Sequence, residues 1–358
     1  MPDKIKKKIK VLIVKPSSLG DILHAFPAVD LLSENLPDVE IDWLVHPAFA
    51  PILDYRKEVK NKIIFERKKL GNLKTFFPEF IKLLKELRKN RYDLVIDMQG
   101  LFRSAIIAWL AKSPGVVGFA STRERLCSLF YRDKFQTPPE LAHAVEKNIS
   151  LIAAKLNATD KIAFSPLPEL KKYAEPAQKI LAAANISKQD ICIGLVPGAR
   201  WKSKQWPPEF FAKAINILSA KRPDLHFLIF GTDADAHAAE KISSMSENQE
   251  HVHSFAGKTG LGELVELMRK CEAVLATDSG PTHIAAALGK PVFALFGPTF
   301  PEKTAPYGKK HEIFQPEISC IKCFKRYCRD ESYRCHSSID AEIVAERILT
   351  RLKGKNEY

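Results

Sequence analysis

Short apolar runs alternate with longer amphipathic stretches almost throughout the 358 residues, and that alternation is the pattern of a parallel sheet wrapped by helices. In the first half, strands are expected at Lys10–Lys15, Glu40–His46, Lys62–Glu66, Asp93–Met98 and Val116–Phe119. Helices are expected at Asp21–Asn35, near Phe49–Leu53, and at Leu73–Lys89, Leu101–Ala111, Arg123–Tyr131 and Ala144–Leu156. Three prolines between Ser165 and Pro176 mark a linker, and a helical stretch Ala177–Ala184 follows it. The alternation then restarts with strands Asp190–Val196, His226–Phe230, His251–Phe255, Ala273–Thr277 and Val292–Phe296. Between and after them lie helices Pro208–Ala220, Asp235–Ser243, Leu261–Lys270, Thr282–Leu288 and Asp340–Leu352. The reading is an α/β chain of two doubly wound domains, residues 1–165 and 178–358, with a linker at about 165–177. The last helix is placed to pack back on the N-terminal domain. Two such domains facing across a cleft would bind a ligand outside the carboxyl ends of their strands, so function is sought in the loops that follow strands.

The length suits two domains. A net charge of +13 attracts something anionic: nucleic acid, an anionic membrane surface or a phosphorylated substrate. The basic stretch Met1–Lys10 is followed by only the apolar run Val11–Val14, short of the roughly 7 to 15 residues of a signal sequence. The best later run, Ala105–Ala111, falls well short of the roughly 18 residues of a membrane span. The chain is therefore expected in the cytoplasm, meeting a membrane only at its surface.

Familiar nucleotide motifs fail. Gly257-Lys258-Thr259 ends like a phosphate loop, but Val252 stands where the first glycine belongs; Gly260 and Gly262 open a dinucleotide fingerprint that Val265 breaks. Three strand-end loops remain. In Lys15-Pro16-Ser17-Ser18-Leu19-Gly20-Asp21, small residues let backbone approach a ligand, and Asp21 is either a catalytic carboxylate or part of a helix cap. Arg200, Lys202 and Lys204 form either an anion clamp or a solvated surface, with Trp206 reading as packing and Pro207 as helix initiation. Asp278-Ser279-Gly280-Pro281-Thr282-His283 opens a helix, and is either a cap or a seat for a diphosphate on exposed backbone N–H groups.

Seven cysteines are too few for a disulfide scaffold, and Cys127, Cys192 and Cys271 read as small buried thiols. Cys320, Cys323, Cys328 and Cys335 cluster within sixteen residues, and a structural zinc, reduced thiols and redox disulfides are all open readings. Lys322, Lys325, Arg326, Arg329 and Arg334 make the same segment strongly basic.

The segments VLIVKPSSLGDILHAFPAV, YDLVIDMQGLFRSA, RERLCSLFY with HAVEKN, KQWP and ATDSGPTHIAAALGKPVFALFGPT together resemble glycosyltransferase family 9 over most of the chain. These are the bacterial lipopolysaccharide heptosyltransferases, with the GT-B architecture of two Rossmann-like domains. The opening motif and the RERLCSLFY to HAVEKN stretch are most similar to the heptosyltransferase I branch. The resemblance implies inverting transfer of L-glycero-D-manno-heptose from the substrate ADP-heptose to Kdo of Kdo-lipid A, with no cofactor required and no nucleic acid. It also implies a peripheral position on the cytoplasmic face of the inner membrane. The N-terminal domain would bind acceptor and the C-terminal domain the nucleotide sugar.

By the same resemblance Asp21 matches the general base and Lys204 the lysine that compensates charge on the leaving diphosphate. Ser17, Ser18 and Gly20 line the reacting centre, and Asp278, Ser279, Gly280, Pro281 and His283 match the donor-binding helix start. Ala199 and Arg200 replace the hydroxyl residues common before the lysine, which implies rearranged donor-phosphate contacts. Arg67, Lys68, Lys69 and Arg123, with His24, match the acceptor side. The chemistry is self-consistent: such a transfer needs one base at the acceptor and positive charge at the leaving phosphate, with no covalent nucleophile. The alternatives are a family 9 enzyme that adds a later heptose or uses another nucleotide sugar and, remotely, a non-catalytic nucleic-acid binder.

Overall fold

The computed structural model describes residues 8–122, 124–160 and 164–353, which divide into two compact units, Met1–Leu167 and Pro168–Tyr358. Strands of the first unit are β1 Lys10–Val14, β2 Glu40–Val45, β3 Val59–Ile64, β4 Leu94–Asp97, β5 Gly115–Phe119 and β6 Asp133–Phe135. Those of the second are β7 Ile191–Val196, β8 Leu225–Ile229, β9 Val252–Ser254, β10 Cys271–Thr277, β11 Val292–Leu295 and β12 Glu312–Phe314. Every pairing is parallel, in the orders β3-β2-β1-β4-β5-β6 and β12-β11-β10-β7-β8-β9.

Numbered within its own unit, each sheet has the order 3-2-1-4-5-6 of a doubly wound Rossmann fold. Central strands such as β1 (KVLIV) and β10 (CEAVLAT) are apolar along most of their length because helices cover both faces. The outermost strands β6 (DKF) and β12 (EIF) have three residues each, too short and too polar to stand out in the sequence. The order reverses between β1 and β4 and between β7 and β10, and these two switch points are where such sheets open a crevice.

Several boundaries shift from the sequence expectation for local reasons. The helix expected at Asp21–Asn35 is two, Leu19–Leu23 and Phe26–Asn35, with Pro27 in the first turn of the second, where its missing N–H costs no helical bond. The helix expected at Arg123–Tyr131 is a 3₁₀ segment, Arg125–Phe130. β3 starts at Val59 rather than Lys62. A helix, Lys171–Ala183, runs through Pro176 and begins inside the stretch read as a linker; it packs on helix Leu261–Lys270, where Gly262 leaves room for the Tyr173 ring. The last helix, Ala341–Lys353, packs on helix Pro208–Lys221 and buries Val344, Ala345 and Ile348 in the core of the second unit. In the first unit Arg56 and Asp30 form a buried pair at 2.8 Å, and the guanidinium lies 4.4 Å from the centre of the Phe26 ring.

At the amino end of β8, His226 stacks on His251 with ring centres 4.2 Å apart, and its Nδ1 lies 3.1 Å from Nε2 of His253. Burial lowers the pKa of both His226 and His253; His251 lowers both further, His226 also lowers His253, and Asp190 opposes the shift at both. Lys270 also lowers His226, and Asp224 raises it. Neutral rings are favoured in the folded state, so their contribution is complete above the unfolded value of about 6.5 and is lost as pH falls through the lowered folded values. Between pH 7 and pH 5 the His226→Gln/His253→Gln variant should therefore lose less melting temperature than the wild type; equal losses by circular dichroism would contradict this.

Candidate active site

At the first switch point the loop after β1 lies beside the loop after β4. Lys15 is buried, and its Nζ donates to the Met98 carbonyl at 2.5 Å, stitching the two strand ends together. Burial lowers the Lys15 pKa against the pull of Asp21 and Asp97. Asp97 is fully buried, which raises its pKa, but its carboxylate accepts hydrogen bonds from Tyr131 (2.7 Å), Ser104 (2.8 Å) and the backbone of Gln99 (2.8 Å) and Gly100 (3.2 Å). A buried carboxylate needs such saturation. The Gln99 side chain in turn accepts from the Ser17 amide at 3.5 Å, so the rigid Asp97 network reaches the serine turn.

Within that turn Ser17 is half-buried, Ser18 exposed and Gly20 buried. Asp21 is half-buried, and its Oδ2 accepts from the Ser18 amide at 2.8 Å and the Ser18 hydroxyl at 2.7 Å. The capping role is thus present, and it engages one of the two carboxylate oxygens. His24 is buried, edge-on to His143 at 5.2 Å between ring centres. Arg67, Lys68 and Lys69 are exposed on the short helix Arg67–Leu70 after β3. Arg67 borders a cavity that also touches Ser17, Gln99 and Arg103. Arg123 lies outside the described residues.

At the second switch point Thr277, the last residue of β10, donates its hydroxyl to the Gly198 carbonyl at 2.9 Å, joining the ends of β10 and β7. Gly198 lets the Asp235 carboxylate lie close, since a Cβ here would fall 2.3 Å from one of its oxygens. Next in sequence, Asp278 is buried and holds Lys204 Nζ at 2.7 Å and the Thr299 hydroxyl at 2.6 Å, both on Oδ2. Lys204 is 18% exposed and also lies 4.9 Å from the centre of the Trp201 ring. Lys202 and Arg200 are exposed, and Lys202 points toward Tyr333 instead. The structure therefore separates one lysine from its neighbours: Lys204 is fixed and the others are not. Ser279 stands at the N-cap position of helix Gly280–Ala287 without a side-chain cap bond, with Pro281 in the first turn and His283 buried one turn in. The Trp206 indole is buried and donates to the His336 carbonyl at 3.1 Å, and Pro207 precedes helix Pro208–Lys221.

The cysteine-bearing segment packs on the Lys204 loop. Ser203 donates its amide to the Arg326 carbonyl at 3.2 Å and its hydroxyl to the Lys325 carbonyl at 2.6 Å, and Phe324 meets Trp201 edge-on at 5.1 Å. The four cysteines differ in exposure: Cys320 and Cys323 are exposed, Cys328 is half-buried and donates to Asp330 at 2.9 Å, and Cys335 is buried. Burial, with the neighbouring thiols of Cys323, Cys328 and Cys320, raises the Cys335 pKa to about 11. Among the described residues no group of three or more His, Cys, Asp or Glu side chains is placed to hold a metal. Two groups had no role in the sequence reading, Lys15 with Asp97, and Arg103. A lysine and an aspartate at the ends of otherwise apolar strands were the available signal.

The profile of glycosyltransferase family 9 (heptosyltransferase) matches residues 80–334. Lipopolysaccharide heptosyltransferase 1 of Pseudomonas aeruginosa is 30% identical over 89% of this chain and 87% of its own. The chain belongs to glycosyltransferase family 9. A second member of this family, lipooligosaccharide heptosyltransferase 2 of Haemophilus ducreyi, is 30% identical over 96% of this chain and 98% of its own. Among solved structures, E. coli heptosyltransferase WaaC with ADP-2-deoxy-2-fluoro heptose matches with a TM-score of 0.73 and 25% identity, covering 96% of this chain and 99% of that one. The family 9 enzyme described here thus has the GT-B class of fold, two Rossmann-like sheets, and is a glycosyltransferase of the heptosyltransferase family.

The Lys204–Asp278 pair is mostly withdrawn from water, so removing the lysine leaves a buried carboxylate without its cation. Lys204→Met should lower the unfolding free energy by about 1 to 3 kcal/mol, below the roughly 3 to 5 kcal/mol of a fully buried pair because Lys204 keeps some exposure. Adding Asp278→Asn should restore part of the loss in urea denaturation. No loss in the single variant would mean that the pair holds nothing together.

Proposed function

We propose that the enzyme is an inverting transferase that moves L-glycero-D-manno-heptose from ADP-heptose to a Kdo hydroxyl of Kdo-lipid A. The observation that carries this reading is the fixed Lys204, a single cation held by Asp278 beside the amino end of helix Gly280–Ala287. In the reaction, Asp21 takes the acceptor proton through the carboxylate oxygen that Ser18 does not use. The freed hydroxyl oxygen attacks the anomeric carbon from the face opposite the diphosphate, the bond to ADP breaks, and the configuration inverts. Negative charge then grows on the diphosphate, where Lys204, the backbone N–H groups at Ser279, Gly280 and Thr282, and exposed Arg200 are suited to receive it. Asp278 and buried His283 flank and line that helix start, and Ala199 carries the turn that Gln205 holds through its carbonyl at 3.1 Å.

On the acceptor side, Arg67, Lys68 and Lys69 answer the anionic sugar and lipid phosphates. Buried His24 acts by packing rather than by contact. No step needs a cofactor or a nucleic acid. No described helix is long and apolar enough to cross a membrane, and the basic run supports a peripheral place on the cytoplasmic face of the inner membrane, where an anionic lipid surface attracts Lys and Arg. A second reading, addition of a later heptose, is favoured by the equal identity to the Haemophilus ducreyi heptosyltransferase 2.

Incubation with ADP-heptose and either Kdo-lipid A or the same acceptor already carrying one heptose, read by product mass, tests this directly. Gain of one heptose on the bare acceptor is expected; gain only on the heptosylated one would favour the second reading. Asp21→Asn should keep the Ser18 hydrogen bonds and the melting temperature while turnover falls by roughly 10² to 10⁴, the scale of a lost general base. Donor affinity should stay nearly constant in calorimetry. Wild-type turnover in this variant would reduce Asp21 to its capping role.

A further inference from the structure

Two cavities in the N-terminal unit share a wall. One, of about 360 Å³, opens beside Ser17 and Gln99; the other, of about 470 Å³, lies between helix Leu73–Lys89 and helix Phe102–Leu110. Phe65, Arg67, Arg103 and Ile107 border both. Apart from Arg67, Arg103 and Gly71, every residue lining the larger cavity is Phe, Leu or Ile. A cavity of this size and composition holds an apolar ligand better than water. The helix that forms its wall also turns outward an apolar row, Leu73, Phe77 and Ile81, spaced by four and exposed by 93%, 70% and 48%. Lys74, Lys82, Lys85 and Lys89 lie on the same helix, a composition suited to an anionic lipid interface.

We propose that the larger cavity is a subsite for one acyl chain of the lipid acceptor, with Arg67 and Arg103 holding an anionic group where chain and headgroup meet. The charge complementarity and the continuity with the cavity at Ser17 select this occupant: a chain seated in the apolar cavity leads its headgroup past two guanidiniums toward the serine turn that ends at Asp21. This subsite rests on the Kdo-lipid A reading and deepens it. The enzyme would then recognise its acceptor by the lipid as well as by the sugar.

The full chain should be titrated by calorimetry with dodecyl phosphate below its micelle concentration and with methyl phosphate. Each methylene buried raises affinity about fourfold, so dodecyl phosphate should bind at least about 100-fold more tightly. Leu84, a half-buried wall residue, gives two variants. Leu84→Arg and the apolar Leu84→Trp should each weaken dodecyl phosphate binding by about tenfold or more, with folding checked by melting temperature. In transfer assays the wild type should prefer fully acylated over deacylated Kdo-lipid A by about tenfold in kcat/KM, and both variants should cut that preference below about threefold. Equal binding of the two phosphates, or an unchanged acyl preference in both variants, overturns the proposal. Loss of binding to phosphatidylglycerol vesicles with the acyl preference intact would assign the cavity to bulk membrane lipid and likewise overturn it. Chain-dependent binding without transfer to either acceptor would instead refute the assignment of function and leave the cavity as a lipid site.

Discussion

The reversal of strand order at the centre of each sheet is the constraint on which the chemistry depends. Parallel strands bring all their carboxyl ends to one edge, and the helices after β1 and β4, or after β7 and β10, must leave on opposite faces. The loops at those points are therefore held apart at their tips and close together at their roots. Each unit closes the root with one buried side chain: Lys15 donating to Met98 in the first, Thr277 donating to Gly198 in the second. The residues that follow these anchors, Ser17 to Asp21 and Asp278 to Gly280, inherit their positions from the sheet.

The two units handle charge differently. In the first, the buried Asp97 carboxylate accepts four hydrogen bonds and has Lys15 nearby, while Asp21, the carboxylate proposed as the base, stays half-buried. In the second, Asp278 holds the Lys204 ammonium, and Thr299 shares the same oxygen. The segment Phe324–Arg326, between Cys323 and Cys328, supports the Lys204 loop from behind through Ser203 and Trp201. Whatever the thiols do, the segment that carries them is part of the scaffold that sets the lysine.

The alternation of apolar runs with amphipathic stretches gave the fold class because central strands buried on both faces are apolar runs bounded by polar loops. It did not reveal β6 and β12, whose three residues carry Asp, Lys and Glu at the sheet edges. Nor did it reveal the break between His24 and Phe26, or helix Lys171–Ala183 passing through Pro176, because packing against neighbours outweighs local preference there. The strand-end loops of the candidate site were legible from position alone. What distinguishes Lys204 from Lys202 came only from the family resemblance, since by position two lysines two residues apart in one loop look alike until one of them is seen to meet Asp278. The apolar cavity was equally hidden: helix Leu73–Lys89 reads as an ordinary amphipathic helix, and only its neighbour Phe102–Leu110 shows that part of its apolar face lines open space.

The central claim is that one fixed cation carries the charge that develops on the departing diphosphate. Its most direct test is turnover at saturating ADP-heptose and Kdo-lipid A for Lys204→Ala against Lys202→Ala. Lys204→Ala should lower kcat by roughly 10² or more, the effect of losing one preorganised stabiliser, and Lys202→Ala by far less. Equal losses at the two positions would contradict the account, because the loop would then act as diffuse charge and not through a lysine set in place by Asp278.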